Sequence, residues 1–257
     1  MSDQLSTVAK TLRVLEAFSY AEPVLGVSEL ARKLDMGKSS VHRALSTLLE
    51  HGYVAKTADD RYRLGLKLHE MGQLVVSGIR LHEVAHSPLE RLRADCQETV
   101  HVAVLDGTDV VYLDRFESAG LARMLQRVGL RVPAYVTSSG KCLLAFGDPA
   151  ITERVIAAGL KRRAPRTITS KAMFLETLQR VRKEGYAVSV EESEPKVSSV
   201  GAPVFGRDGR CIAAVSIVGP TMRFDADQVP KYVRLVRRCA LSISEAMGFN
   251  ARPRAKE

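Results

Sequence analysis

Two stretches carry side chains at spacings that suit chemistry. In HEVAH, His82 and His86 stand one helical turn apart with Glu83 between them, the pattern of a zinc hydrolase with a glutamate base. Zinc also needs a third protein ligand and an unbroken helix. Here Pro88 follows almost at once, and no further histidine lies at the expected spacing. Neither a metal nor another cofactor is expected, and a metal-dependent hydrolase is the lesser alternative. In the second stretch, KSSVHRALS, an apolar helical pattern is interrupted by Lys38, Ser39, Ser40, His42, Arg43 and Ser46. Short hydroxyls near a helix N-terminus can approach phosphates or base edges, and the helix dipole favours the phosphate. Arg43 has a fork that bonds two acceptors of a guanine, whereas Lys38 and the hydroxyls suit the backbone. That chemistry is recognition of double-stranded DNA.

The elements around the second stretch fit this use. Val27, Leu30, Ala31 and Leu34 recur at helical spacing, with Ser28 placed to cap or start their helix and counted with the DNA-binding residues. Asp35, Met36 and Gly37 break the pattern in what reads as a tight glycine turn. Val41, Ala44, Leu45, Leu48 and Leu49 then resume it. Val8, Leu12, Val14, Leu15 and Phe18 predict a third helix upstream. Downstream, GYVAKTADDRYRLG alternates, turns at Asp59 and Asp60, and returns through Tyr62 and Leu64 as a hairpin. Three helices and a basic hairpin make a winged helix-turn-helix, in which Lys56, Arg61 and Arg63 would hold flanking phosphates.

Charge supports a nucleic-acid partner only locally. The net charge is +9 with a pI near 9.5, but up to Ser77 ten Lys and Arg face nine Asp and Glu. Between Arg32 and Lys67, eight basic residues outnumber four acidic ones, and that cluster is the more telling feature. The basic run KRRAPR at 161–166 reads as a solvated loop. The 257 residues, 46% of them hydrophobic, suffice for one large or two ordinary domains. The N-terminus has no apolar run suited to a signal peptide or membrane span, so a cytoplasmic protein is expected. Cys96, Cys142, Cys211 and Cys239 are far apart and read as reduced thiols.

Further along, Val100, Val102 and Val104 alternate with polar or small residues, and DGTD turns the chain into VVYLDRF, a strand hairpin. Strands are predicted at 187–190, 199–205 and 212–218. Two helical stripes end at Gly185 and Gly248. The second half is therefore an α+β domain with an antiparallel sheet. SSGKC lacks the flanking residues of a phosphate-binding loop, no GxSxG elbow occurs, and no enzymatic activity is expected.

The segments VSELARKLDMGKSSVHRALSTLLEHGYV, RYRLG, ETVHVAVLDGTDVVYLDRFES, SSGKCLLAF, EGYAVS and GAPVFGRDGRCIAAVSIVGP together resemble the IclR family of bacterial transcriptional regulators over nearly the whole chain. The resemblance implies a winged helix-turn-helix domain at 6–66, a linker helix at 67–80, and a GAF-like effector-binding domain at 81–250, with His82 and His86 expected on the helix that links the domains. It also implies a homodimer or dimer of dimers on a near-palindromic operator, repressing or activating catabolic genes in response to a small organic acid. By the same resemblance, Leu121, Met124 and Val132 would wall the effector pocket. Ser138, Ser139, Ser189, Ser199 and Ser216 would make polar contacts, and the amides just before Gly140 would suit a carboxylate. Where relatives that bind very small oxoacids carry an acidic residue and a second serine, this chain has Ser189 and Val218. Lys196 and Val197 replace a glycine-containing turn. These departures favour a larger, partly apolar acid, such as an aromatic one. A constitutive DNA-binding protein whose second domain only dimerises is the remaining alternative.

Overall fold

The computed structural model describes residues 6–77, 80–117 and 131–250. The chain divides into two compact units, one ending at residue 78 and the other beginning at 79.

The first unit runs α1 (Ser6–Glu16), β1 (Val24–Leu25), α2 (Val27–Leu34), α3 (Lys38–Glu50), β2 (Val54–Lys56), β3 (Tyr62–Leu64) and α4 (Leu66–Ser77). Its core joins Val14 and Phe18 to Leu30, Val41, Leu45, Leu48, Val54 and Tyr62. Fully buried residues such as Leu30 and Leu45 each contribute about 1.5–3 kcal/mol. Val8 and Leu12, on the apolar stripe expected of α1, stay about half exposed. The wing is a small antiparallel sheet ordered β1-β3-β2, with Val54 opposite Leu64 and Lys56 opposite Tyr62.

Two local expectations are corrected. Gly26, not Ser28, is the N-cap of α2; the Glu29 carboxylate turns back to accept the Gly26 amide at 2.7 Å, and Ser28 is exposed inside the first turn. In the turn between α2 and α3 the left-handed residue is Asp35, with φ 51°, while Gly37 is an extended N-cap at φ −62°. Aspartate tolerates that conformation better than most residues.

The second unit runs α5 (Arg80–Cys96), β4 (Thr99–Asp106), β5 (Asp109–Phe116), β6 (Arg131–Pro133), a 3-10 turn (Ala134–Val136), α6 (Ser138–Phe146), α7 (Pro149–Ala157), α8 (Lys171–Glu184), β7 (Ala187–Val190), β8 (Val197–Phe205), β9 (Cys211–Pro220), a second 3-10 turn (Thr221–Arg223) and α9 (Gln228–Ala246). The strands form one antiparallel sheet ordered β6-β5-β4-β9-β8-β7. On one face, Leu81, Leu89 and Leu92 of α5 and Val236 and Ile243 of α9 pack against Val100, Val102, Val200 and Ile217. On the other, Cys142 and Leu143 of α6 and Phe174 and Leu178 of α8 pack against Ala103, Tyr112 and Ala214. Covering both faces explains why the central strands β4, β8 and β9 are buried almost throughout, at their polar positions as well as their apolar ones.

Of the linker helix that the resemblance implies at 67–80, residues up to Ser77 lie in α4 of the first unit and Arg80 opens α5 of the second, and the two residues between them lie outside the described ones. Pro88 does not end α5; it is buried within the helix. A proline there removes one backbone hydrogen bond, and the apolar contacts of Leu81, Ala85, Leu89 and Leu92 hold the helix on the sheet. The four cysteines are free, and Cys96, Cys142 and Cys239 are buried. Among the described residues, no helix is long and apolar enough to cross a membrane.

Candidate DNA-binding and effector-binding sites

Helix α3 divides cleanly. Val41, Ala44, Leu45 and Leu48 are buried, whereas Lys38, Ser39, His42, Arg43 and Ser46 are exposed and Ser40 half-buried. With 3.6 residues per turn, Ser39, His42, Arg43 and Ser46 share one outward face. Exposed Lys56 and Arg63 stand on the wing strands. The Lys56 ammonium lies 2.9 Å from Asp60, and that hydrogen bond raises its pKa; an exposed pair of this kind is weak and can exchange its carboxylate for a phosphate.

Arg61 is placed differently. Its guanidinium bonds Glu29 at 2.7 Å and the Val24 carbonyl at 3.1 Å, and the hydrogen bond to Glu29 raises its pKa. Its visible work is to brace the wing against α2 rather than to wait for a phosphate.

In the second unit, a cavity of about 20 Å³ lies between the N-terminus of α6 and the sheet. Ser138, Ser139, Ser189, Ser199, Ser216 and Val218 all reach it. Gly201 lets them converge: a Cβ there would sit 3.0–3.1 Å from the backbone and hydroxyl of Ser138 and the amide of Ser139. Gly140 is more tightly constrained, since its Cβ would fall 2.1 Å from the Ala134 carbonyl oxygen. Thr137 caps α6 by accepting the Gly140 amide at 2.9 Å, which leaves the amides of Ser138 and Ser139 as the turn's intrahelical orphans. Buried Lys141 pairs with Glu192 and donates to the Val188 carbonyl at 3.3 Å, fixing α6 to the far edge of the sheet. Burial pulls the Lys141 ammonium below its usual pKa.

The hydroxyls of Ser138, Ser139 and Ser216 and both ring nitrogens of His101 are buried without a hydrogen-bond partner. Each such group costs about 1–3 kcal/mol, so their concentration on one side of the sheet marks a place built for something polar. A larger cavity of about 590 Å³ lies between α7 and α8, but none of these orphaned atoms belongs to its lining.

Some expected contacts fall elsewhere. Val132 is a core residue opposite Val110, outside the cavity lining. The Ser189 hydroxyl donates to the Val136 carbonyl at 3.0 Å, so it also ties β7 to the turn before α6. Leu121 and Met124 lie outside the described residues. Val197, from the turn that departs from the glycine-containing one, lines the cavity, as do Tyr112, Val136, Thr137 and Ser193, which nothing in their spacing singles out. The position of Thr137 immediately before SSGK was the one available signal, as a helix cap.

His82 and His86 sit on α5, the second unit's own helix. Their nitrogens lie 3.6 and 3.7 Å from one carboxylate oxygen of Asp114. Among the described residues no group of three or more His, Cys, Asp or Glu is arranged to hold a metal ion.

The winged unit and the six-stranded effector unit match two family descriptions in chain order. Residues 7–58 match the IclR helix-turn-helix domain, and residues 73–245 match the bacterial transcriptional regulator IclR C-terminal domain. The chain belongs to the IclR family. It is thus a DNA-binding transcriptional regulator, not an enzyme. It is 36% identical to the HTH-type transcriptional regulator KdgR of Escherichia coli (strain K12), over 98% of this chain and 96% of that protein. It is 33% identical to the p-hydroxybenzoate hydroxylase transcriptional activator of Acinetobacter baylyi, over 86% and 83%. Among solved structures, an IclR homologue from Microbacterium hydrocarbonoxydans complexed with 4-hydroxybenzoate superposes with a TM-score of 0.84 at 29% identity, covering 94% of this chain and 98% of the other.

Proposed function

We propose that this IclR-family regulator controls catabolic genes by binding a small organic acid between the N-terminus of α6 and the sheet. The observation that carries the proposal is the set of buried, unpartnered hydroxyls of Ser138, Ser139 and Ser216 beside the cavity. The amides of Ser138 and Ser139 would take the carboxylate, and Val218 would meet the apolar body. A homologue complexed with 4-hydroxybenzoate and a related activator named for p-hydroxybenzoate hydroxylase support an acid of aromatic size.

A cavity of about 20 Å³ is large enough for about one water molecule, so an acid must move the lining to enter. That movement is the proposed switch: the ligand favours the opened arrangement and shifts the population towards it. DNA would be held by Lys38, Ser39, Ser40, His42, Arg43, Ser46, Lys56 and Arg63, with one winged unit on each half of a near-palindromic site. A homodimer or a pair of dimers in the cytoplasm would provide the two units.

Calorimetry of the full chain against benzoate-sized acids and against glyoxylate and pyruvate tests the effector assignment. Binding of the larger acids, lost in Ser216→Leu while operator binding persists, is the expected result. Tight binding of only the small oxoacids would overturn the size assignment. Binding of none would leave a DNA-binding protein whose second domain merely assembles it.

A further inference from the structure

We infer that His101 is a specificity-determining residue of the effector site, reading a hydroxyl group on the bound acid. The inference rests on the effector assignment above and deepens it. His101 stands opposite Ser216 in the β4–β9 pairing, and Ser216 stands opposite Gly201 in the β8–β9 pairing. The three therefore form one row across the sheet, on the face that carries α6. The His101 ring lies 4.6 Å from that of Tyr112. Tyr112 and Ser216 line the cavity and His101 does not, so it stands immediately behind two wall residues. Opening the cavity past them reaches the imidazole.

Three properties define what the ring can recognise. It is fully buried, and neither nitrogen has a hydrogen-bond partner. Burial, reinforced by the positive charge of Arg115 next to it on the sheet, pulls its pKa down to about 3. At neutral pH it is an uncharged ring with one donor and one acceptor. A carboxylate can only accept, and its place is the amide-rich end of α6. A hydroxyl can donate or accept, so it suits whichever nitrogen faces it. As a space-filler alone, His101 would bear an uncompensated polar cost that an aromatic hydrocarbon of similar size avoids.

The selected class is therefore a hydroxy acid over the matching acid without the hydroxyl. A site built around such a bond discriminates strongly, because the analogue leaves a buried group unpaired. Calorimetry of the full-length protein with two matched pairs, 4-hydroxybenzoate with benzoate and lactate with propionate, tests this. The wild type should prefer the hydroxylated member of whichever pair binds by at least about tenfold. His101→Phe should bring that ratio near one, and His101→Asn, which keeps a donor and an acceptor, should retain part of it. An unchanged ratio in His101→Phe would overturn the assignment. Should that variant not fold, nitrogen-15 histidine NMR of the wild type decides: the His101 resonances should move with the hydroxylated acid and stay with its partner, and equal response to both would refute the role. If neither pair nor any other acid binds the wild type, the effector assignment fails, which is a separate outcome.

Discussion

The Arg61 guanidinium lies 2.7 Å from Glu29 Oε2, and that oxygen also accepts the Gly26 amide at 2.7 Å. One carboxylate thus closes the start of α2 and anchors the wing. Arg61→Ala removes the anchor and leaves the recognition face of α3 untouched. It should lower the melting temperature of the first unit and weaken all DNA sequences together, measured by calorimetric melting beside gel shifts. Weaker DNA binding with no change in melting would instead place Arg61 on a phosphate.

Arg43 and Lys56 should behave differently from each other. Arg43→Ala should cost about 1–3 kcal/mol and relax preference at one base position. Lys56→Ala should weaken specific and random DNA alike and reduce the salt slope by about one. Fluorescence anisotropy on operator and scrambled duplexes at several salt concentrations separates the two patterns.

Burial of His101 gives a stability signature with a definite sign. Its folded pKa of about 3 lies below the unfolded value near 6.5, so between these values the unfolded chain binds the extra proton. Stability is full above about pH 6.5 and falls as pH drops towards 3, by up to about 1.4 kcal/mol per pH unit from this group. His101→Phe should flatten that part of a urea-denaturation pH profile. An identical profile in the variant would mean that His101 titrates normally.

The departure at Lys196 is visible in the backbone. Lys196 has φ 62°, and its carbonyl accepts the Thr221 amide at 2.9 Å, which holds the turn that feeds β8. A lysine in the left-handed region bears a steric cost that glycine does not, partly offset by glycine's greater freedom when unfolded. Lys196→Gly should stabilise the second unit by about 0.5 kcal/mol, read from urea midpoints. Destabilisation would show that the lysine side chain makes a compensating contact.

Much of the architecture could be read from residue spacing. The apolar positions of α3 and the Asp59–Asp60 turn gave the winged unit, because burial of one helix face and a two-sided hairpin are local signals. The Gly185 and Gly248 helix ends were legible for the same reason, and both adopt positive φ, 74° and 88°. What was not legible depends on contacts between distant segments. Nothing near Arg61 in sequence announces Glu29, 32 residues away. The short strand β1 exists only because β3 lies beside it. The cluster of Ser138, Ser216 and His101 assembles from three elements, and a lone histidine in an alternating strand has the same local pattern whether it faces a cavity or a core.

In the proposed switch, one acid-binding site and one DNA-binding face are coupled. Reciprocity requires that an acid change operator affinity by the same factor by which the operator changes affinity for the acid. Anisotropy titration of a labelled operator fragment, with and without saturating 4-hydroxybenzoate, beside calorimetry of the acid with free and operator-bound protein, measures both factors. Matched factors of about 5–150, abolished by Ser216→Leu, are predicted. An acid that binds the second unit and leaves operator affinity unchanged would contradict the account.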